Sequence, residues 1–359
     1  MDETNRVRDP WVDSCDCPRP VLRRTFVLSL LAAIASACSG PTTSASAKRE
    51  RVSIIQAVVG PSDIPLWIAH EQGLFAKQGI DAQILLQETR GVAHRIRGDI
   101  QFGVVGIPAT MVAVTEGTDL KILAPTSSAR ATTHLVARPD VKTPDDLRGK
   151  RFGVFGIGTG FWIHAMLALE HLGLDPKRDH ITFVEVGNLA RMARALEAGE
   201  IDAAMLDPAR SSQLRGKGFS MLLDMYPANI SPAQNALVVA GAYLHEHPDM
   251  VEKVVAGLVE GIAFSLSPAN KEVVLQTLMA HMQITDPAAA ESAYKNFSSR
   301  VLRKPYASVE AMQNMQRVMA LHDPKVLNLK LADLIEERFV RKLDESGVID
   351  RLYSAYGVK

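Results

Sequence analysis

The sequence predicts an α/β protein of two lobes with a ligand cleft between them, and three observations support this prediction. At 359 residues, the chain is long enough for two lobes that each bury a hydrophobic core. Strand and helix patterns recur about one hundred residues apart, which indicates two similar β-α-β-α-β units. Glycine-rich turns end several predicted strands and lead directly into helices, as in open α/β sheets that bind ligands there.

Composition and charge exclude several functional classes. The chain has 40 Lys and Arg residues and 40 Asp and Glu residues, so its formal net charge is zero. No nucleic-acid partner is expected, because binding to a phosphate backbone favours a broad basic surface. The three cysteines are Cys15, Cys17 and Cys38, so the folded part contains no disulfide, thiol nucleophile or thiolate metal site. We expect neither a metal nor a cofactor.

Residues 1–38 have the features of an export leader. Arg23 and Arg24 precede an apolar run over 26–37, which is too short to span a bilayer as a helix. The end of this run resembles a bacterial lipobox, which implies lipid attachment at Cys38 and a membrane anchor. Cleavage without lipid attachment is the alternative, and the arginine pair also resembles a twin-arginine export signal. Residues 39–50 follow as a flexible tether rich in serine, threonine and alanine.

Two segments that lie one hundred and one residues apart show the repeat most clearly. The segment 98–105 leads into Gly106 and Pro108, and the segment 199–206 leads into Asp207 and Pro208. In both, a glycine suited to ending a helix precedes an apolar strand, and a proline suited to a first helical turn follows it. The strands predicted in chain order cover 51–59, 82–87, 100–105, 120–125, 133–137, 151–155, 181–186, 201–206 and 235–240.

From Pro248 onward the sequence is predicted to be almost entirely helical. One apolar face recurs at helical spacing and consists of Val251, Val254, Val255, Leu258, Val259 and Ile262. Further helices are predicted at 271–282, 287–297, 308–321 and 331–346, with Gly347 as the stop signal. These helices need a lobe to cover, and the first lobe is the expected one. Lobe 1 is therefore predicted to comprise 51–132 and 239–359, and lobe 2 to comprise 133–238, with a hinge of two crossings.

Ligand-binding residues are expected in the turns at the carboxyl ends of the strands. Helix N-termini there present backbone N–H groups and a positive dipole end, which suit an anionic or strongly polar group. The candidates are Ser62, Asp63, Trp67, Arg90, Gly106, Ile107, Thr159, Gly160, Phe161, Asn188, Asp207 and Asn235. Asp63 and Asp207 are interpreted as helix-start residues rather than a catalytic pair. A solvated position for Arg90 and core positions for the aromatic residues remain alternatives.

Two motifs raise other chemistries. The segment 156–160 is similar to a dinucleotide-binding loop with Glu185 as a ribose partner, but Phe161 stands where glycine or alanine is required. We favour a flexible turn whose N–H groups and Thr159 hydroxyl hold a ligand. His245 and His247 lack a third ligand, so a metal site is not expected there. No Ser-His-Asp or Cys-His set is recognisable, and the chain is not expected to be an enzyme.

Several motifs in order resemble the nitrate/sulfonate/taurine group of periplasmic solute-binding proteins of ABC transporters. They are PLWIAHEQGLF at 65–75, GDIQFG at 98–103, DLK at 119–121, VARPD at 136–140, DLRGK at 146–150, GEIDAA at 199–204, HPD at 247–249 and LDESG at 343–347. The resemblance covers about residues 50–355. It implies a periplasmic-binding-protein fold of type II, in which the two lobes close over a small anionic or heterocyclic solute.

The resemblance also implies partners and a location. An ABC permease and its ATPase are the implied partners, and the implied location is the periplasmic or extracytoplasmic face of the membrane, with the receptor as a monomer. The same superfamily includes thiamine-pyrimidine synthases, which use a lysine-bound cofactor and a cysteine-rich motif. An enzyme of that type is the alternative function, but no cysteine follows Cys38. Many relatives carry serine where Thr159 stands here, so the added methyl group narrows the expected pocket.

Overall fold

The structure, a computed structural model, describes residues 49–57, 59–87, 91–126, 133–228 and 235–359. The predicted leader, with Cys38, and nearly all of the tether lie outside the described residues, as does Arg90. The strands within these ranges are β1 (Glu50–Gln56), β2 (Ile80–Leu86), β3 (Phe102–Gly106), β4 (Leu120–Pro125), β5 (His134–Ala137), β6 (Arg151–Val154), β7 (Thr182–Glu185), β8 (Ala203–Leu206), β9 (Ser220–Asp224) and β10 (Asn235–Ala240).

The strands form two five-stranded sheets with the same arrangement. The first sheet has the order β2-β1-β3-β10-β4 and the second has the order β7-β6-β8-β5-β9. In each sheet the fourth strand in this order is antiparallel to its neighbours. In the first sheet this strand is β10, which follows all strands of the second sheet in sequence. In the second sheet it is β5, which follows β1 to β4 of the first sheet. The chain therefore passes between the sheets twice, from β4 to β5 and from β9 to β10. The fold thus has two lobes that are joined by two connections, as predicted.

Strand β9 was not among the predicted strands, although the repeat locates it. It occupies the same edge position in the second sheet that β4 occupies in the first. The two strands also lie one hundred residues apart in sequence, which is the spacing of the other repeated elements. Extending the repeat to the edge strands would therefore have predicted β9.

The second lobe boundary needs one adjustment. The predicted boundary between 238 and 239 divides β10, but β10 pairs with β3 and β4 of the first sheet along its whole length. A strand that is hydrogen-bonded on both sides belongs to the sheet that holds it. We therefore propose that lobe 2 ends before Asn235. At the other end of lobe 1, β1 begins at Glu50, the last residue of the predicted tether.

Helices cover both faces of the sheets. They are α1 (Ile64–Glu71), α2 (Leu74–Lys77), α3 (Ile107–Thr115), α4 (Gly160–His171), α5 (Leu189–Ala198), α6 (Pro208–Gly216), α7 (Gly241–Glu246), α8 (Pro248–Leu266), α9 (Lys271–Met282), α10 (Pro287–Ser298), α11 (Val309–Met319), α12 (Leu331–Leu334), α13 (Arg338–Glu345) and α14 (Val348–Ala355). No helix of the described ranges has the length and apolar character needed to cross a membrane.

The C-terminal helices pack mainly on the first lobe, as predicted. The apolar face of α8 is fully buried and lies against α1 and α2, while α9 contacts α1 and α13 contacts both α8 and β4. One core cluster joins these helices to the face of the first sheet that carries Ile54 and Val104. The sheet could not bury this face without them, because α1 and α2 are too short to cover it alone.

Helix α11 makes a further contact with the second lobe. It packs against α4 as well as α3, and Nη2 of Arg317 lies 2.8 Å from Oε2 of Glu170 on α4. Its buried residues Met312 and Met315 belong to a core cluster that contains Val105 of the first sheet and Phe152 of the second. The C-terminal segment therefore bridges the lobes in addition to covering the first one.

The predicted helix over 331–346 is interrupted at Ile335. This residue forms a parallel bridge with Ile122, and the backbone N–H of Glu336 donates to the carbonyl of Ile122 at 2.8 Å. Because β4 is the edge strand of its sheet, its outer hydrogen-bonding groups are available to a passing segment. A tertiary hydrogen bond thus splits the helical pattern into α12 and α13.

Candidate functional site

The register of the crossing strands brings the carboxyl edges of the two sheets toward each other. Strand β5 enters the second sheet with His134 opposite Leu206, the last residue of β8. Strand β10 enters the first sheet with Asn235 opposite Gly106, the last residue of β3. Both connections therefore join the edges at which the parallel strands end. This edge of an α/β sheet is the one that binds ligands, and it carries the predicted site residues.

A buried carboxyl group holds the turn after β1. Asp63 is 1% exposed, and its Oδ2 accepts a hydrogen bond from the backbone N–H of Gly60 at 3.0 Å. Burial raises the pKa of Asp63 to about 7, while the hydrogen bonds from Gly60 and the Gln56 side chain act in the opposite direction. The other oxygen, Oδ1, is buried without a hydrogen-bond partner within the described ranges. Asp63 therefore shapes the turn, in agreement with its predicted helix-start role.

Two predicted ligand residues of the first lobe belong to its core instead. Trp67 has no exposed surface, its Nε1 donates to Oε1 of Gln56 at 3.1 Å, and its ring stacks on His281 at 4.3 Å. Ile107 is also fully buried, in the first turn of α3. Both side chains point into packed interiors because the helices α1 and α3 turn these faces toward the sheet. We therefore do not retain Trp67 or Ile107 as ligand contacts.

Three other first-lobe candidates come together at one point of the edge. Nδ2 of Asn235 donates to Oγ of Ser62 at 3.4 Å, and a methyl group placed on Gly106 would lie 3.7 Å from Oδ1 of Asn235. All three residues are partly exposed. They come from three separate segments, the turn after β1, the end of β3 and the start of β10. This convergence supplies a hydroxyl, an amide and an uncovered helix start on the first lobe.

On the second lobe, the glycine-rich turn before α4 is held by its own polar groups. Oγ1 of Thr159 donates to the carbonyl of Gly156 at 2.7 Å. The backbone N–H of Ile157 donates to Oε1 of Glu185 at 2.8 Å, so this carboxylate supports the turn rather than offering a ribose partner. Gly158 has a φ of +82°, a conformation that side chains rarely adopt. Two hydrogen bonds thus hold this turn in place, one from the Thr159 side chain and one to the Glu185 carboxylate.

Phe161 and Gly160 lie in the first turn of α4, beside this loop. The ring of Phe161 stacks on Phe155 at 4.7 Å and lies 5.4 Å from the ring of His164. It remains partly exposed, whereas Trp162 is 4% exposed and packs in the core. Phe161 therefore presents one supported aromatic surface to the edge of the second sheet.

Asn188 and Asp207 cap the helices that follow β7 and β8. Oδ1 of Asn188 accepts from the backbone N–H of Arg191 at 3.0 Å, and Oδ1 of Asp207 accepts from that of Arg210 at 3.0 Å. Oδ2 of Asp207 also lies 2.6 Å from Nη1 of Arg210. The helix-start interpretation of Asp207 is thus confirmed, and Asn188 has the same role.

The structure adds a group of ionisable residues that the sequence did not indicate. Nε2 of His134 lies 3.7 Å from Oδ1 of Asp224, and burial and the charge of Arg300 lower the pKa of His134 while Asp224 and Asp207 raise it. The cluster combines the start of β5, the end of β9 and the segment after α10. Arg300 lies some 75 residues beyond β9 in sequence. A local sequence pattern therefore could not place Arg300 beside His134 and Asp224.

A separate depression lies at the opposite edge of the first sheet. It has a volume of about 500 Å³ and is lined by residues that precede β3 and β4 or follow β10. His94 lies there between Oε2 of Glu116 at 2.7 Å and Oγ1 of Thr118 at 2.9 Å, and burial raises the pKa of Tyr243 to about 12. Because this is the amino edge of the parallel strands, it is not the edge that carries the candidate site.

His245 and His247 are the histidine pair for which the sequence predicts no metal site, because no third ligand is apparent. His245 lies in the last turn of α7, and the ring of His247 lies 4.7 Å from that of Tyr243. Among the residues that the structure describes, no group of three or more His, Cys, Asp or Glu side chains is arranged to hold a metal ion.

Comparison with known proteins identifies the family. The profile of the NMT1 family, described as NMT1/THI5 like, matches residues 61–271, more than half of the chain. The riboflavin-binding protein RibY of Chloroflexus aurantiacus is 25% identical over 262 residues, which cover 66% of this chain and 72% of that protein. The taurine-binding periplasmic protein of Escherichia coli K12 is 26% identical over 195 residues, which cover 52% of this chain and 59% of that protein.

Solved structures have the same fold at lower identity. The periplasmic aliphatic sulphonate binding protein SsuA from Escherichia coli superposes with a TM-score of 0.65 and 17% identity, covering 80% of this chain and 92% of that one. The periplasmic nitrate-binding protein NrtA from Synechocystis PCC 6803 superposes with a TM-score of 0.62 and 13% identity, covering 83% and 89%. The chain therefore belongs to the NMT1/THI5-like family and has the two-lobed fold of the periplasmic solute-binding proteins of ABC transporters.

Proposed function

We propose that this protein is the extracytoplasmic receptor of an ABC importer, which binds a small solute between its lobes and closes around it. The observation that carries the proposal is the double passage of the chain between two sheets of identical strand order. The two connections let the lobes rotate as rigid bodies, and they join the sheets at their ligand-binding edges. A permease and an ATPase in the membrane are the proposed partners, and the receptor acts as a monomer.

The proposed solute is small and anionic or heterocyclic. On the first lobe, Ser62, Gly106 and Asn235 supply the polar contacts. On the second lobe, the N-termini of α4, α5 and α6 favour negative charge, and α4 begins at Gly160. Phe161 offers a surface for an aromatic ring of the solute. Asn188 and Asp207 hold the helix starts in place, and their remaining oxygen lone pairs can accept hydrogen bonds from the solute.

Two measurements test the receptor function. Mass spectrometry of protein purified under native conditions identifies any solute that remains bound. Small-angle scattering then compares the protein alone with the protein in the presence of taurine, alkanesulfonates, nitrate or riboflavin. We expect at least one of these compounds, or the co-purified solute, to reduce the radius of gyration. Scattering curves that stay identical for every compound, with no co-purified solute, would contradict the proposal.

Attachment to the membrane is proposed separately, because Cys38 lies outside the described residues. The motivating observation is the apolar run that ends in small residues before Cys38. Expression of the full chain and of Cys38→Ala in a Gram-negative host, followed by fractionation, tests it. The parent chain is expected in the membrane fraction and the variant in the soluble extracytoplasmic fraction. An equal distribution of both would remove the anchor and leave the receptor function untouched.

We propose a binding role rather than catalysis. The cysteine-rich motif of the thiamine-pyrimidine synthases has no counterpart in this chain, which has no cysteine after Cys38. An absorption band from a carbonyl compound linked to a lysine in the purified protein would instead favour an enzyme of that type.

A further inference from the structure

A charged side chain reaches from one lobe to the other beside the candidate site. Arg300 follows α10, which packs against the turn at Pro61–Asp63 on the first lobe and against α6 on the second. Cζ of Arg300 lies 4.0 Å from the centroid of the Tyr226 ring, and Tyr226 follows β9 of the second sheet. The guanidinium group therefore lies over an aromatic ring of the opposite lobe, in a cation–π contact that restricts its position.

The guanidinium group retains hydrogen-bonding capacity in this position. Nη1 of Arg300 is buried and has no hydrogen-bond partner in the part of the chain that the structure describes. Burial lowers the pKa of Arg300, and the nearby Asp224 opposes this effect. By contrast, the guanidinium of Arg210 lies 2.6 Å from its own carboxylate partner, Asp207. A planar, charged donor whose Nη1 is buried and unpartnered among the described residues suits the oxygen atoms of an anion.

His134 provides a second donor or acceptor close by. Its Nδ1 is buried without a partner among the described residues, and its Nε2 lies 3.7 Å from Oδ1 of Asp224, beyond hydrogen-bond length. Burial first, and then the charge of Arg300, hold the pKa of His134 below its usual range, although Asp224 and Asp207 oppose them. A neutral imidazole can donate from one nitrogen without adding charge to the site.

These groups lie at the ligand-binding edge of the second sheet. His134 pairs with Leu206 at the end of β8, and it pairs with Asp224 at the end of β9. Arg300 reaches this edge from the first lobe, since it follows α10, which packs against the turn that contains Ser62, and lies over Tyr226, which follows β9. The cluster therefore spans the two walls between which a solute is proposed to bind.

We propose that Arg300 binds the anionic group of the solute, with Tyr226 holding the guanidinium group in place and His134 completing the contact. This inference rests on the proposed receptor function and narrows its solute to compounds that carry an oxyanion, either a sulfonate or a carboxylate. Arg300 lies beyond residues 61–271, the range matched by the family profile.

Arg300→Gln tests the proposal with matched pairs of probes. Isothermal titration measures binding of alkanesulfonates and alkyl carboxylates, and of the corresponding neutral sulfones and amides. We expect the parent protein to prefer the anionic member of a pair, and Arg300→Gln to bind that member at least 30-fold more weakly. Arg300→Lys is expected to recover part of the loss. Arg303→Gln is the control, because Arg303 lies 5.6 Å from the ring of Tyr353 within the same lobe and should change affinity less than twofold.

Asp224→Asn separates ligand binding from a purely structural pairing. If Arg300 only balances the charge of Asp224, this variant should weaken binding as Arg300→Gln does. If Arg300 binds the anion, removing the competing carboxylate should leave anion binding equal or make it several-fold tighter. Circular dichroism confirms that each variant is folded, and should Arg300→Gln not fold, Arg300→Lys and Asp224→Asn carry the test.

The outcomes distinguish this inference from the receptor function on which it rests. If a neutral compound binds and closes the lobes, and Arg300→Gln binds it equally well, the inference is overturned and the receptor function stands. If no compound binds, none co-purifies and scattering shows no closure, both are overturned. A preference of the parent protein for a sulfonate over the matched carboxylate, or the reverse, identifies which oxyanion the site accepts.

Discussion

At the scale of single residues, the turn after β1 depends on a carboxyl group that is removed from water. Asp63 closes the turn through the N–H of Gly60, and Gln56 links it to Trp67 through a chain of side-chain hydrogen bonds. Desolvation disfavours the charged form of such a group, so its proton is held more tightly than in the unfolded chain. We therefore expect the turn that carries Ser62 to respond to pH.

We expect the stability of the parent protein to fall as the pH rises from about 4 to about 7. The pKa of Asp63 is raised from 3.8 to about 7 in the folded protein, so the folded state binds more protons than the unfolded state in this window. The loss can reach about 4 kcal/mol. Urea unfolding of Asp63→Asn at several pH values checks this, since the amide keeps the acceptor but does not ionise. An identical pH slope in parent and variant would contradict the expectation.

The hydroxyl of Thr159 is expected to stabilise its turn before it contributes to binding. It donates to the carbonyl of Gly156, so only its lone pairs are available to a solute. Thr159→Val should therefore lower the free energy of unfolding by about 1 kcal/mol and weaken solute binding, because the turn loses its internal hydrogen bond. Thr159→Ser should change neither quantity appreciably. Urea unfolding and titration calorimetry provide the two measurements, and weaker binding at unchanged stability would assign the hydroxyl directly to the solute.

At the scale of elements, the contact between α1 and α8 depends on glycine. A Cβ atom on Gly261 would overlap the backbone carbonyl oxygen of Pro65 and crowd the side chain of Ala69. The close approach of the two helices lets the apolar face of α8 cover the first lobe. The segment from Pro248 onward was predicted as helical from its 3.6-residue periodicity, but the periodicity does not reveal how closely two helices approach.

Gly261→Ala should therefore be strongly destabilising for its size. We expect a loss of about 2–3 kcal/mol, because backbone atoms rather than a flexible side chain must move. Gly216→Ala is the matched control, since Gly216 also lies in a helix and its Cβ would meet no atom within 4 Å. That change should be neutral or stabilise the protein by up to about 1 kcal/mol. Equal midpoints in chemical denaturation for the two variants would show that α1 and α8 can separate freely.

At the scale of the whole molecule, the lobes share part of their hydrophobic core. Residues of both sheets belong to one cluster that passes through α3, α4 and α11. On the other side of the connections, α10 contacts α6, and Arg300 lies on Tyr226. Lobe motion must therefore preserve or repack these contacts, and the lobes should not behave as independent folding units.

We expect the two lobes to unfold in one cooperative transition. Trp67 lies in the first lobe and Trp162 in the second, so each can report on its own lobe once Trp11 is replaced. Thermal unfolding of Trp11→Phe/Trp162→Phe and of Trp11→Phe/Trp67→Phe is followed by tryptophan fluorescence and by circular dichroism. For each variant, the two methods should give the same midpoint temperature. A difference of more than about 5 °C within either variant would indicate separate lobe transitions.

Local patterns in the sequence were sufficient for the elements and their repetition. The positions of nine strands, the helical C-terminal segment and the capping role of Asp207 all follow from interactions within a few residues or from hydrophobic periodicity. Trp67 and Ile107 are ligand-binding candidates by their sequence positions but lie in the core, because a residue near a strand end can point either into the cleft or into the core. The side on which it lies depends on the helix packed against it, which local sequence does not specify.

Only the tertiary structure could bring His134, Asp224 and Arg300 together or divide the last predicted helix at Ile335. These contacts join segments that are far apart in the chain, and their formation depends on how whole elements pack. The amino-acid sequence thus carried the two-lobed α/β architecture through its repeated short-range patterns. The ionisable group across the lobes, the support of the 156–160 turn by Glu185 and the shared core came from long-range packing, because their contacts and buried surfaces exist only once the sheets are assembled.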